Sequence, residues 1–189
     1  MIRLETQRLV IRNWEDRDRD LFHLINSDDE VMRFFPFRRT REQADAMMDR
    51  LRADNEARGY GFAALELKAT GEAIGFVGLH RDNIPEAQPE PFIEIGWRLA
   101  RENWGHGFVT EAGRGLLRFG FEGLGLPEIV SFAVQDNDRS IAVMKRLGFT
   151  HDPSCDFDHP RVPDTHPHLK RHVFYRLKRE EWRRQIDGA

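Results

Sequence analysis

The stretch Trp104-Gly105-His106-Gly107-Phe108-Val109-Thr110-Glu111-Ala112 constrains this chain more than any other, because it joins a run patterned as a strand to a run patterned as a helix. Two glycines one residue apart can take backbone angles closed to other residues and leave no Cβ in the way, so successive N–H groups can converge on one point. A helix beginning near Val109 or Thr110 adds its unpaired N–H groups and the positive end of its dipole. Such a turn either holds phosphate or is a plain glycine-bearing connection, and a lone G-x-G does not choose between them. The generic nucleotide motifs are missing: no G-x-x-x-x-G-K-[ST] is present, and Thr110 replaces the third glycine of a dinucleotide fingerprint.

The flanks of the stretch read clearly. Phe92–Leu99 is a strand whose alternation puts Phe92, Glu94, Gly96 and Arg98 on one face, with Ile93, Ile95, Trp97 and Leu99 on the other. A carboxylate among so many apolar neighbours either satisfies a buried donor or works as a general base. Gly96 beside it signals a bulge or the close approach of another backbone or a ligand. After the glycines, Ala112, Leu116, Leu117, Phe121 and Leu124 form the stripe of a helix that Pro127 ends. Ile129–Val134 is a short apolar strand suited to a sheet centre, and Asn137 or Asp138 caps a helix that runs to Arg146 and closes at Gly148.

Upstream, residues 2–12 alternate as one half-buried strand carrying Ile2, Leu4, Leu9 and Ile11, and Asp16–Ser27 has helical spacing behind an acidic start. Phe34-Phe35-Pro36-Phe37 interrupts as a loop that is either a core plug or an aromatic wall for a substrate. Thr40-Arg41-Glu42-Gln43 is a capping box; the helix it starts buries Ala44, Met47, Met48 and Leu51 and ends at Gly59. Phe62–Leu67 and Ala73–Leu79 pair as a hairpin around Ala69-Thr70-Gly71-Glu72. His80 then sits at a strand end, as surface histidine or as catalytic base. A proline-bearing loop (Pro85, Pro89, Pro91) follows. Residues 151–171 hold His151, His159, His166, His168 and four prolines, read as an irregular, solvated segment without a metal. His172–Leu177 is a last strand, and Lys178–Gln185, anchored by Trp182, a short terminal helix.

With 189 residues, 40% of them hydrophobic, the chain is expected to form one domain over 1–189 with a well-covered core. A net charge of −3 gives no basic stripe for nucleic acid, and it is compatible with amine substrates. The single cysteine, Cys155, excludes an internal disulfide framework. With neither a leader pattern nor an apolar run able to span a bilayer, the expected compartment is the cytoplasm, with no membrane partner.

The glycine stretch resembles the pyrophosphate loop of the GNAT superfamily of acetyl-coenzyme A dependent N-acetyltransferases, whose signature is [QR]-x-x-G-x-[GA]. Here it reads Glu102-Asn103-Trp104-Gly105-His106-Gly107, with Glu102 departing from the first position. The wording W-G-x-G-[FY]-x-T-E-A, the Thr6-x-Arg8-Leu9 start, the N-x-x-S before the helix after Asn137, and Leu147-Gly148-Phe149 are most similar to the branch of the RimJ and RimL ribosomal-protein acetyltransferases. The resemblance implies an α/β (α+β) fold: a mixed, twisted sheet of about seven strands flanked by about four helices, splayed between the strand 92–99 and the strand 129–134.

It further implies acetyl-CoA as cosubstrate, with backbone groups of Trp97, Arg98 and Leu99 along the pantetheine. Trp104, Gly105, His106, Gly107, Phe108 and Val109 would lie at the pyrophosphate, and Asn137 and Ser140 toward the thioester. Phe34, Phe35, Phe37 and His80 would border the acceptor. Glu94 is the expected base. Many members of the superfamily protonate the leaving thiolate with a tyrosine four residues beyond the position of Ser140; here that residue is Met144, which has no proton to give, so Ser140 becomes the candidate donor. The acceptor is a primary amine, on a protein N-terminus or a small molecule. An α-amine of pKa about 8 starts roughly 3 kcal/mol closer to its neutral, reactive form than a lysine at about 10.4. The protein would act as monomer or homodimer. Two other classes stay open: a noncatalytic acyl-CoA binding or sensing module, and an interaction domain whose glycine loop is structural.

Overall fold

The computed structural model describes residues 3–188; Ile2, assigned above to the first strand, lies outside the described residues. They form a mixed α/β protein with nine strands and five α-helices. The backbone clusters into two compact units, one running to His80 and taking up Gly96–Leu116, the other made of Arg81–Ile95 and the chain from Leu117 onward.

In the first unit the expected single N-terminal strand is two, β1 (Arg3–Glu5) and β2 (Leu9–Arg12), paired antiparallel as Leu4↔Ile11. The break comes from Thr6, whose N–H donates to the Leu9 carbonyl at 2.9 Å and whose hydroxyl accepts the Leu9 N–H at 3.1 Å, folding the chain back. β3 (Phe62–Leu67) joins β2 antiparallel, and β4 (Glu72–Asp82) joins β3. β4 outruns the expected end at Leu79, so His80 is a strand residue rather than the start of a loop.

Helix α1 (Arg19–Ser27) follows a 3₁₀ turn at Asp16–Asp18, and α2 (Arg41–Arg58) starts with the capping box read from Thr40 and Gln43. It ends at Gly59, whose φ of 75° is the left-handed conformation of a helix C-terminus. Ala44, Met48 and Leu51 of α2 pack with Trp14, Phe22, Ile25, Ala64 and Phe76, with Met47 partly buried at the margin. Beneath β2, Arg12 donates from Nη1 and Nη2 to Asp18 at 2.6 and 2.9 Å and from Nε to Glu66 at 2.6 Å; this network is buried and fully paired.

In the second unit β6 (Glu128–Val134) and β9 (Arg171–Lys178) pair antiparallel from Glu128↔Lys178 to Val134↔His172. The short β7 (Thr150–His151) and β8 (Phe157–Asp158) add to β9; they raise the strand number above the expected seven. Strand β5 (Phe92–Leu99) runs parallel to β6, and their register consists of one pair, Glu94↔Val130. α4 (Asp138–Arg146) is capped by Asn137, and α5 (Arg179–Asp187) carries the buried Trp182 against Phe121. Helix α3 (Phe108–Arg118) starts one residue earlier than expected and widens into a π turn over Phe119–Gly123, leaving Leu124 of the expected stripe 36% exposed.

Candidate active site

The glycine loop belongs to the first unit, and its backbone has the required geometry. Gly105 and Gly107 have φ of 80° and 77°, values that an L side chain rarely takes. A Cβ at Gly105 would meet nothing within 4 Å, and one at Gly107 only Arg8 Nη2 at 3.8 Å, so the glycines are demanded by backbone angle and by open space rather than by crowding. The first α-helical bond at this end runs from the Glu111 N–H to the Gly107 carbonyl at 3.0 Å, and the amides of Phe108, Val109 and Thr110 are the ones a helix start leaves for an anion. That combination fits a pyrophosphate.

The loop is braced from the N-terminal turn. Glu111 accepts from the Thr6 hydroxyl at 2.5 Å, the Arg8 N–H at 2.8 Å and Arg8 Nε at 2.6 Å; Arg8 Nη1 also donates to the His106 carbonyl at 3.1 Å. Burial pushes the Glu111 carboxyl up, but the bonds from Thr6 and Arg8 outweigh it and hold the group below its ordinary range. Arg8 also lies over the Phe108 ring at 4.7 Å, and His106 stacks on Phe108. Arg8 went unread in the sequence as a site residue; its guanidinium reaches the loop only because the chain reverses at Thr6. Trp104 fastens the other end, donating from Nε1 to the Leu99 carbonyl at 2.9 Å.

The nearest described atoms at Gly96 are those of an aromatic ring rather than of another backbone, since a Cβ there would meet Phe62 Cε1 at 2.9 Å. Phe62 also stacks with His80 at 5.1 Å, which places His80 against an aromatic face. Phe35 and Phe37 are 38% and 42% exposed, with ring centroids 6.1 Å apart, while Phe34 is half-buried under Arg33. The loop is therefore no core plug: two of its three rings face solvent. Arg98, next in alternation after Gly96, stacks on Phe35 at 4.4 Å and donates from Nη1 to Asn26 Oδ1 at 2.6 Å. Trp97 is half-buried and Leu99 buried.

Glu94 belongs to the second unit. Its side chain is half-buried and has no hydrogen-bond partner among the described residues, so it does not satisfy a buried donor. Desolvation pushes its carboxyl up to about 8, the charge of Asp82 adds to the rise, and that of Arg161 opposes it. Asp82 and Arg161 are themselves paired at 2.6 Å. Arg161 comes from the histidine- and proline-bearing segment, which sequence pattern gave no reason to connect with Glu94.

That segment also departs from the solvated reading: His159 packs on Phe132, Phe157 and His172, and burial, with the His172 and Arg161 charges, lowers it to about 4. Asn137 Oδ1 accepts the Ser140 N–H at 3.2 Å; the Ser140 hydroxyl takes no part in the cap and has no partner among the described residues. Met144, one turn further on, is buried.

The mixed α/β fold and the left-handed glycines of the strand-to-helix turn are the features against which known families can be compared. The chain matches the acetyltransferase (GNAT) domain family over residues 8–150 and belongs to it. It is 33% identical over 149 residues to the uncharacterized N-acetyltransferase YoaA of Bacillus subtilis, covering 77% of this chain and 81% of the relative. Among solved structures, the GNAT-family acetyltransferase of Bacillus anthracis superposes with a TM-score of 0.76 at 22% identity, over 95% of this chain and 99% of that one. The ribosomal-protein-S5-alanine acetyltransferase of Vibrio fischeri gives 0.73 at 16% identity, over 96% and 99%. The protein is thus an acetyl-CoA-dependent acyltransferase by family, with kinship of fold to the ribosomal-protein branch. No helix among the described residues is long and apolar enough to cross a membrane.

Proposed function

We propose that the protein transfers the acetyl group of acetyl-CoA to a primary amine by direct attack within a ternary complex, with Glu94, directly or through a water, receiving the amine's proton. The observation that carries this reading is the Glu94 carboxyl, desolvated, without a hydrogen-bond partner among the described residues and raised to about 8. A base poised there is matched to an amine near neutrality, whereas an ordinary carboxylate is too weak by several pH units. The coenzyme supplies an acyl thioester.

The chain's own residues take the remaining roles. Amides of Gly105, His106, Gly107, Phe108 and Val109 receive the pyrophosphate, Arg8, paired with Glu111, braces the loop, and Trp104 fixes its other end. Backbone groups of Trp97, Arg98 and Leu99, with Asn137, orient the pantetheine. Ser140, whose hydroxyl is uncommitted, donates to the departing sulfur. Phe34, Phe35, Phe37 and His80 border the acceptor, and the protein acts as monomer or homodimer in the cytoplasm.

Thiol release with acetyl-CoA and a panel of amines and peptides tests the reading, together with calorimetry of acetyl-CoA on wild type and Gly107→Asp. Amine-dependent release is expected, with affinity lost by several kcal/mol in the variant, where a carboxylate and a Cβ would oppose phosphate. No release with any amine, or unchanged affinity in the variant, refutes it.

A further inference from the structure

Arg98 and Arg39 stand apart among the arginines of their unit: the exposed Arg50, Arg58, Arg101 and Arg114 also lack an ion pair among the described residues, but these two are half-buried. Arg12, Arg38, Arg41 and Arg52 each meet a carboxylate within 3 Å. Arg98 and Arg39 meet none among the described residues. Arg98 is half-buried between the rings of Phe35, at 4.4 Å, and Phe76, at 5.3 Å. Arg39 lies on Phe37 at 4.7 Å, and its Nε is buried without a hydrogen-bond partner.

Both arginines hang on one residue. Asn26 is fully buried at the end of α1, where its Nδ2 donates to the Phe22 carbonyl at 2.7 Å, which fixes the amide's orientation. Its Oδ1 accepts from Arg98 Nη1 at 2.6 Å, and its carbonyl accepts the Arg39 N–H at 2.9 Å. Asn26 therefore orients the Arg98 guanidinium through its side chain and ties down the Arg39 backbone through its own, on the same side of the unit where the Arg39 charge is felt at Arg98. Each cation lowers its readiness to stay charged through burial, and the Arg39 charge is felt at Arg98. An arrangement with this cost and no internal counter-charge is built for an anion that comes from outside.

The donor geometry names the anion. With Nη1 of Arg98 committed to Asn26, the side of the guanidinium formed by Nε and Nη2 remains; no hydrogen bond of the described residues uses either atom. That side presents two parallel N–H groups at the spacing of the two oxygens of a carboxylate. The rings of Phe35 and Phe76 beside it reduce its contact with water, which strengthens the pair.

We propose that Arg98 and Arg39, oriented by Asn26 and flanked by Phe35, form a carboxylate seat for the acceptor, so that the amine this enzyme acetylates carries a carboxylate on the same molecule. This rests on the acyl-transfer reading above and narrows it to amino-acid-like acceptors. Asn26 is a positioning residue here, whereas Arg98 touches the acceptor.

The test compares matched acceptors, each as free carboxylate and as primary amide, with wild type, Arg98→Gln and Arg39→Gln at saturating acetyl-CoA. Calorimetric binding of the same compounds to each protein in the presence of coenzyme A runs alongside. In wild type the carboxylate member is expected to be favoured in kcat/KM and in affinity by about 30-fold to 100-fold, the effect of a bidentate charged pair. Arg98→Gln should erase that preference, costing the carboxylate member about 30-fold to 100-fold more than the amide member, and Arg39→Gln should erase part of it.

A purely structural arginine would penalise both members alike, and that outcome overturns the proposal; so does a preference that survives Arg98→Gln, or a loss that falls on acetyl-CoA affinity instead. If Arg98→Gln does not fold, Arg39→Gln decides by the same comparison. Wild type that turns over no amine refutes the acyl-transfer reading, and the calorimetric arm then still decides the seat: carboxylate-dependent binding lost in Arg98→Gln upholds it, and its absence overturns it.

Discussion

Glu94→Gln keeps the side-chain volume and removes the titrating group, so its effect on stability has a definite sign at each pH. The folded protein holds the Glu94 proton up to a pKa of about 8, against an ordinary value of 4.5. Between those values the folded state binds more protons than the unfolded one, so the contribution of Glu94 to stability is whole below about pH 4.5 and is lost as pH rises toward 8. At 1.36 kcal/mol per tenfold in the proton equilibrium, the ceiling is about 5 kcal/mol. The side chain keeps some solvent contact, which brings the expected figure to about 2–4 kcal/mol.

The glutamine variant lacks this slope and should gain on wild type steadily from pH 5 to pH 8, then hold its lead. Urea denaturation at pH 5, 6, 7, 8 and 9, followed by tryptophan fluorescence, measures the difference directly, and titrations of all other groups cancel between the two proteins. In turnover, wild type should rise toward a plateau above about pH 8, while the variant should lose about 100-fold or more in kcat/KM together with that ascending limb. Parallel stability curves, or a variant that loses ground as pH rises, would refute the desolvated carboxylate and with it the assignment of the base.

Ser140→Ala should lower kcat by about tenfold to a hundredfold with coenzyme A affinity little changed, because the hydroxyl is free to meet the leaving sulfur while the cap uses only the Ser140 N–H; equal turnover with chemistry rate-limiting removes Ser140 from the catalytic list. Asp18→Ala strips the buried Arg12 of its bidentate partner and leaves Glu66, with Glu15 at 3.9 Å, against it, a change expected to cost about 3–5 kcal/mol in chemical denaturation. A loss under 1 kcal/mol would mean that water or Glu66 replaces the carboxylate fully.

Much of the local structure around the candidate site could be read from the chain because the interactions that set it are local. Gly105 and Gly107 need left-handed angles that the sequence announces by having glycine there, the Thr40 box and the Asn137 cap are contacts within one helical turn, and the strand from Phe92 to Leu99 follows from its apolar runs and period of two. These interactions involve residues no more than a few positions apart, so residue type and spacing suffice. The first strand was misread for a nearby reason: the alternation of residues 2–12 continues across Thr6, and the signal for reversal is a hydroxyl bonding backbone at Leu9, which a period of two does not encode.

What the sequence could not supply are the pairings made across long separations. Arg8 reaches the glycine loop because Glu111 grips it from 103 positions away, Arg161 meets Asp82 across 79, and Arg98 finds Asn26 across 72. Residue type alone made Glu94 a candidate base, but its raised pKa depends on which charges stand nearby and how much water reaches it. Likewise Arg98 was legible only as a backbone position on a strand. The direction of its side chain, and the absence of a carboxylate among the described residues to meet it, exist only once the aromatic loop and the end of α1 have folded around it, because desolvation and charge pairing are properties of surroundings and not of residues.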